Sequence, residues 1–189
     1  MSTRKELKPS TALYPTPVVL VTSIDEGGKP NIITLAWAGN ICSNPPQVGI
    51  SVGPPRYSNG LIRKTGEYVV NIPTADIVRE ADYCGMVSGR NSDKFRDTKL
   101  TAIKAKKVKP PIIAECPVSI ECKVRNIIAL GSHDLFVGEV VNIDVSENVL
   151  DQRGKIDFKR LKAITWNPMT GNYLSVGESL GLIGFSMKK

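Results

Sequence analysis

Residues 31–46 read NIITLAWAGNICSNPP, and the fold turns on how this stretch is understood. Its first half, Ile32 to Trp37, is apolar, β-branched and aromatic, the composition of a pleated, buried strand. Its second half is small and polar. Ala38, Gly39, Asn40, Cys42 and Ser43 leave the backbone bare, and Pro45 and Pro46 end the ladder by withholding two amide donors. Bare backbone serves one of two ends: it relieves crowding at a barrel corner, or it lets the main chain approach a flat ligand closely. On this stretch alone the corner is the better account.

Working outward, Val18 to Ser23 is a strand and Asp25 to Lys29 a turn, so the stretch opens as the second arm of an antiparallel hairpin. Val48 to Val52 is a third strand. Ser58 is positioned to N-cap a short helix that carries Leu61 and Ile62 inward and stops at Gly66. Tyr68 to Ile72 is the fourth strand. Thr74 caps a second helix, with Ile77, Val78, Ala81 and Cys84 at helical spacing, ending near Gly85. Val87 to Thr98 has no period and is assigned to a loop. Val118 to Arg125 alternates, placing Val118, Ile120, Cys122 and Val124 on the core face and Ser119, Glu121, Lys123 and Arg125 on the solvent face. Leu135 to Val145 pairs with it as a second hairpin, entered through Gly131-Ser132-His133-Asp134. The tail alternates short strands with turns, beginning at Asp151 to Gly154. Prolines 9, 15 and 17 exclude a helix from the first residues, so 1–13 form an extended lead-in. These elements define one domain over 1–189, mainly β, an antiparallel barrel of six to eight strands with short helices.

Composition narrows the function. A hydrophobic fraction of 41% and a charged fraction of 23% over 189 residues belong to an ordinary globular chain. The four cysteines form no C-x-x-C pair, so no disulfide framework is expected, and with one histidine no metal site is expected either. The N-terminus has no apolar leader and no window approaches the roughly 18 apolar residues of a membrane span, which points to the cytoplasm and away from a membrane. The net charge of +7 centres on Lys104, Lys106, Lys107 and Lys109. No aromatic residue interleaves with these lysines, and Lys104 and Lys106 flank Ala105 as on a solvated strand edge, so nucleic acid is not the expected partner. A non-catalytic basic binding module is the alternative of another class. Positive charge equally suits an anionic cofactor.

Three polar clusters can carry chemistry. Arg56, Tyr57 and Ser58 stand at a predicted helix start, where amides, a hydroxyl and a guanidinium can hold a phosphate. Ser88, Arg90 and Lys94 sit on a glycine-containing segment suited to the same anion. His133, the single imidazole, stands in a turn where it can titrate or hydrogen-bond a substrate. Each has a plain structural reading as a cap, a solvated loop or a solvated turn. Trp37 and Trp166 are assigned to the core. The sequence contains no Walker-type loop and no G-x-G-x-x-G, which leaves a protein that holds a phosphorylated planar cofactor and lets it do the chemistry.

The order of segments NIITLAWAGNICSNPP, RYS, YVVNIP, ADYCGMVSGRNSDKF and GSHDLFVGEV resembles the flavin reductase-like family of FMN-binding split barrels, most nearly its flavoredoxin branch. The resemblance runs from about Tyr14 to Gly184. It implies a six-stranded antiparallel Greek-key split barrel, a homodimer and one non-covalent FMN per subunit. Carried over by residue, Trp37, Ala38, Gly39, Asn40, Ile41 and Cys42 would line the flavin ring. Arg56, Tyr57 and Ser58 would receive the phosphate or ribityl chain, with Ser88, Arg90, Lys94 and Phe95 closing over it. His133 would stand on the nicotinamide side as the catalytic residue. The implied reaction passes electrons from NAD(P)H through FMN to free flavin, ferric iron or a redox protein. The implied alternative is an FMN electron carrier that takes electrons from a protein partner without direct NAD(P)H use.

Overall fold

The computed structural model describes residues 3–187; Met1 and Ser2 of the lead-in, with Lys188 and Lys189, lie outside the described residues. A two-residue strand β1 (Thr16–Pro17) leads into β2 (Val19–Ile24), and β3 (Pro30–Leu35) returns beside it in antiparallel register, Val21 opposite Ile33. The turn between them is closed by Asp25, whose carboxylate accepts the Lys29 amide at 2.8 Å.

At Ala36 and Trp37 the chain bends, and β4 (Ala38–Ser43) starts afresh. The small-residue half of the stretch is therefore a strand in its own right, exposed along most of its length. A tight turn at Asn44 and Pro45 follows, and β5 (Pro46–Val52) pairs back on β4, so Pro46 begins a strand rather than ending one. The remaining large strands are β6 (Glu67–Ile72), β9 (Val118–Ala129) and β10 (Asp134–Val145), with a small pair β7 (Ala102–Ile103) and β8 (Ile112–Ile113) between. The main sheet runs β3-β2-β6-β9-β10-β5-β4.

Its two outermost strands, β3 and β4, are consecutive in the chain and only two residues separate them. A flat sheet of this order would hold those edges many strands apart at about 4.8 Å per strand. The sheet therefore curls to bring its two edges together, and the Ser51 amide of β5, donated to the Trp37 carbonyl at 2.8 Å, carries the β4–β5 ladder into the two-residue junction. Register shifts between β9 and β10, at Val137/Gly138 and Val140/Asn142, add the local twist that such curling needs. Seven strands are hydrogen bonded where six were expected, because the bend makes one long segment serve both edges.

Val19, Val21, Ile33, Ile50, Ile62, Tyr68 and Phe136 fill the barrel, and burial of each large side chain contributes about 1.5–3 kcal/mol. Tyr68 reaches across it to donate its hydroxyl to the Val48 carbonyl at 2.8 Å. A Cβ at Gly138 would collide with that hydroxyl, so this position of β10 requires glycine. The alternate residues of β2 and β3, Leu20 and Ile32, face outward against helix α2 (Val78–Met86) and the tail, which explains why β2 is buried on both faces. The tail contributes helix α4 (Phe158–Leu161) and a hairpin, β11 (Ile164–Asn167) and β12 (Asn172–Ser175), with β11 pairing to β1.

Helix α1 (Tyr57–Thr65) buries Leu61 and Ile62 and ends at Gly66 in the left-handed conformation, as expected from its sequence. Its start differs. Arg56 is the N-cap, and Ser58 lies inside the first turn, buried, accepting a hydrogen bond from the Asn31 amide group at 2.8 Å. The segment read as a loop to Thr98 ends in helix α3 (Lys94–Thr98), N-capped by Asp93.

The solvent face assigned to β9 is also corrected. Ser119 and Glu121 are buried, Glu121 completely, because residues 104–111 fold across that face and pack Ala105 and Val108 against Val69. The Glu121 carboxylate accepts the amides of Lys106, Lys107 and Val108 at 3.0, 2.6 and 3.2 Å, and the Asn142 side chain at 2.8 Å. Burial alone would raise its pKa; the four hydrogen bonds outweigh that and hold it below the ordinary carboxylate value. The lysine segment is thus an anchored loop, not a strand edge.

Candidate functional site

Three adjoining cavities form a groove where the β3 end, the start of α1 and the end of α2 meet, with Arg56 and Gly85 lining all three. The middle cavity, about 260 Å³, is walled by Thr34, Leu35, Ala36, Trp37, His133 and Trp166. The bend in the opening stretch places Trp37 here. Its ring centroid is 5.9 Å from that of Trp166, the two planes tilted by 53°. Both tryptophans are only partly buried, so they are groove walls and not the core residues their hydrophobicity suggested.

His133 reaches this cavity from the β9–β10 turn, where its Nδ1 lies 2.9 Å from the Ser132 hydroxyl. The turn is tied to α1 by the next residue. Asp134 accepts hydrogen bonds from Asn59 and Arg63, both at 2.8 Å, and these, the Asn59 bond first, lower its pKa against the opposing effect of burial. Asn59 also donates to the Val52 carbonyl at 2.9 Å, so α1, β5 and the histidine turn are tied together.

The second cavity, about 290 Å³, is cationic. Arg56, Tyr57, Ser58, Ser88, Arg90 and Lys94, all named from sequence, border it together. Helix α1 begins with no side-chain cap and no acidic residue in its first turn, which leaves its leading amides and the positive end of its dipole facing the cavity without a protein anion. Lys94 is only 4% exposed. Its ammonium donates to the carbonyls of Ile32, on the open edge of β3, and Cys84, in the last turn of α2, each at 2.7 Å. A helix C-terminus repels anions; Lys94 covers that end and turns it into cationic surface. Burial, opposed by the Cys84 thiol and reinforced by the Arg56 charge, lowers its pKa to about 8.

The third cavity, about 400 Å³, opens past Val18, Met86, Trp166 and Tyr173, whose hydroxyl donates to Asp82 at 3.0 Å. Thr34, Gly85, Trp166 and Tyr173 were not singled out as site residues. A tail tryptophan carries no motif, and only the β1–β11 pairing brings it to the groove.

Ala38 to Cys42 are not among the residues lining these cavities; they form the exposed strand β4, where the Cys42 thiol donates to the Asn44 carbonyl at 3.4 Å. The strand lining of the groove comes from Ile33 to Trp37 instead. Phe95 packs against the outer core beneath Lys94. Among the described residues no cluster of three histidine, cysteine, aspartate or glutamate side chains is placed to hold a metal, and no helix is long and apolar enough to cross a membrane.

A curled barrel closed through a bent strand, with a groove leading from paired aromatics to a cationic pocket at a helix start, is the architecture of a flavin-type split barrel. The family model described as "Flavin reductase like domain" matches residues 11–164, and the chain belongs to this family. Among solved structures it is similar to flavoredoxin of Desulfovibrio vulgaris (Miyazaki F), with 35% identity and a TM-score of 0.93, covering 98% of this chain and 100% of that one. Flavoredoxin from Methanosarcina acetivorans is 29% identical with a TM-score of 0.88, covering 98% of each chain. Nitrilotriacetate monooxygenase component B from Bacillus cereus is 25% identical with a TM-score of 0.84, covering 96% of this chain and 98% of that one.

Proposed function

We propose that this protein holds FMN non-covalently in the groove and passes electrons through it, from NAD(P)H or a redox partner protein to an acceptor. The observation that carries the proposal is the uncapped start of α1 facing Lys94 and Arg56 across one cavity that opens directly onto the tryptophan-lined one. That donor set suits a phosphate monoester: amides of the first α1 turn, the Ser58 and Ser88 hydroxyls, and two cations. FMN, when bound, supplies the hydride and single-electron chemistry that no side chain here provides. Arg56 and Lys94 anchor the phosphate end. Trp37 and Trp166 exclude water from the ring end, and the Ile33 to Trp37 backbone offers polar groups at its edge. On this reading His133, steadied through Asp134 and Asn59, orients a nicotinamide or other second substrate and holds a proton at a ring nitrogen.

The likeness to the flavoredoxins favours a second reading, a carrier whose FMN exchanges electrons with another protein and not with NAD(P)H. We further propose a cytoplasmic homodimer, supported by four unpaired cysteines and by the exposed Leu180, Leu182 and Ile183 of the tail. The test of the main proposal is the visible spectrum. Purified protein should be yellow, or should bind added FMN; colourless protein that ignores FMN overturns it. Stopped-flow mixing with NADH and NADPH then separates the readings, rapid bleaching supporting a reductase and inert flavin supporting a carrier.

A further inference from the structure

A cavity of about 300 Å³ lies behind the cationic one, lined by Ile24, Asp25, Glu26, Gly60, Leu61 and Lys64. The two cavities have two residues in common, Tyr57 and Arg90. Arg90 is held in place from two sides. Its Nη1 donates to the Pro55 carbonyl at 2.9 Å, and its guanidinium carbon lies 5.6 Å from the centre of the Tyr57 ring, a cation–π distance. Its backbone is also fixed, since the Arg90 amide donates to the Ser88 hydroxyl at 3.3 Å and a Cβ on Gly89 would collide with Asn31. The arginine is thus a partition between two spaces of similar size.

Charge differs across that partition. On the near side stand Arg56 and Lys94. On the far side stand Asp25 and Glu26, the latter paired with Lys64 at 3.4 Å. A single terminal phosphate can occupy the near side; a second phosphate would need the space Arg90 itself fills, and the chain beyond it would run between Asp25 and the Glu26–Lys64 pair. The far cavity, with aliphatic walls and carboxylate acceptors, is suited to a nucleoside.

Resting on the flavin reading above, we propose that Arg90 is a specificity-determining residue: with Tyr57 it closes the phosphate cavity after one phosphate, admits flavin mononucleotide, and turns away flavins extended by an adenylate, for which the far cavity would be the subsite. Displacing Arg90 joins the two spaces.

Fluorescence titration of flavin-free protein with FMN and with FAD tests this without any turnover. The wild type should bind FMN at least about tenfold more tightly than FAD, the discrimination expected of one lost charged contact. Arg90→Ala should bring the two affinities within about twofold, chiefly by tightening FAD, and Tyr57→Leu, which leaves Arg90 without its platform, should shift the ratio the same way. Equal affinities in the wild type overturn the gate while leaving the flavin site intact. An unchanged ratio in both variants also overturns it. A wild type that binds neither flavin overturns the gate together with the reading beneath it.

Discussion

Lys94→Met is the substitution whose consequences the structure sets most fully. Methionine keeps the length and apolar stem of the side chain but removes the ammonium that serves the Ile32 and Cys84 carbonyls. Both carbonyls lack an alternative: one lies on the unpaired edge of β3, the other in the last turn of α2. Leaving a buried acceptor unsatisfied costs about 1–3 kcal/mol, and relief of the burial penalty on the charge offsets part of the pair, so a net loss of about 2–4 kcal/mol is expected. At a few degrees per kcal/mol for a chain of this size, the melting temperature should fall by roughly 5–15 °C. The pH dependence is the sharper signature. The folded-state pKa of Lys94, about 8, lies below the ordinary 10.5, so between those values the unfolded chain binds more protons and folding gains stability as pH rises. The methionine variant lacks that gain. The stability gap between wild type and variant, measured by urea denaturation at pH 7.5, 8.5, 9.5 and 10.5, should therefore widen with pH. A gap that is flat or narrows would refute the argument that Lys94 is held charged against its burial.

On the proposed FMN reading the same group would tune ligand affinity: a bound phosphate favours the protonated lysine, so FMN binding should weaken as pH rises through about 8 in the wild type, and Lys94→Met should remove that dependence in titrations across the same range. Glu121→Gln replaces an acceptor-only group beneath the lysine loop with one that must turn an amide donor toward backbone amides. A loss of about 2–4 kcal/mol in urea unfolding is expected. Because the native pKa of Glu121 is lowered, its contribution is complete above the ordinary carboxylate value of 4.5 and is lost as pH falls through the native one; the glutamine variant should show a shallower acid limb. Gly138→Ala should destabilise by about 1–3 kcal/mol through overpacking against Tyr68, and pairing it with Tyr68→Phe, which removes the colliding hydroxyl, should recover part of the loss in a double-mutant cycle.

What the sequence made legible was whatever is written in neighbouring residues. The β2–β3 hairpin, the Gly66 stop of α1, the Thr74 start and the long β9–β10 pair follow from local alternation and turn chemistry. The cationic residues at 56–58 and 88–94 were identifiable by type, and the fold brings them to one cavity. Alternation failed at Ser119 and Glu121 because it records which residues share a face, not what later covers that face, and the covering loop lies more than ten residues earlier. In the sequence Lys94 reads only as a loop donor, because its two acceptors come from β3 and α2, distant in the chain. Ser58 reads as a cap because hydroxyls favour that position, yet it lies inside the helix, bonded by Asn31 from a distant strand. Trp166 was invisible as a groove wall for the same reason: its position depends on a strand pairing across roughly the whole chain.

The two-residue junction between β3 and β4 ties ligand binding to the closing of the barrel. The junction residues Ala36 and Trp37 also line the groove, so on the FMN reading an occupied groove would act as a clasp on the seam. Ligand held well above its dissociation constant strengthens that clasp by about 1.4 kcal/mol for every tenfold excess. A protease or a denaturant that opens this seam should therefore undo barrel and groove in a single event, and ligand should delay it.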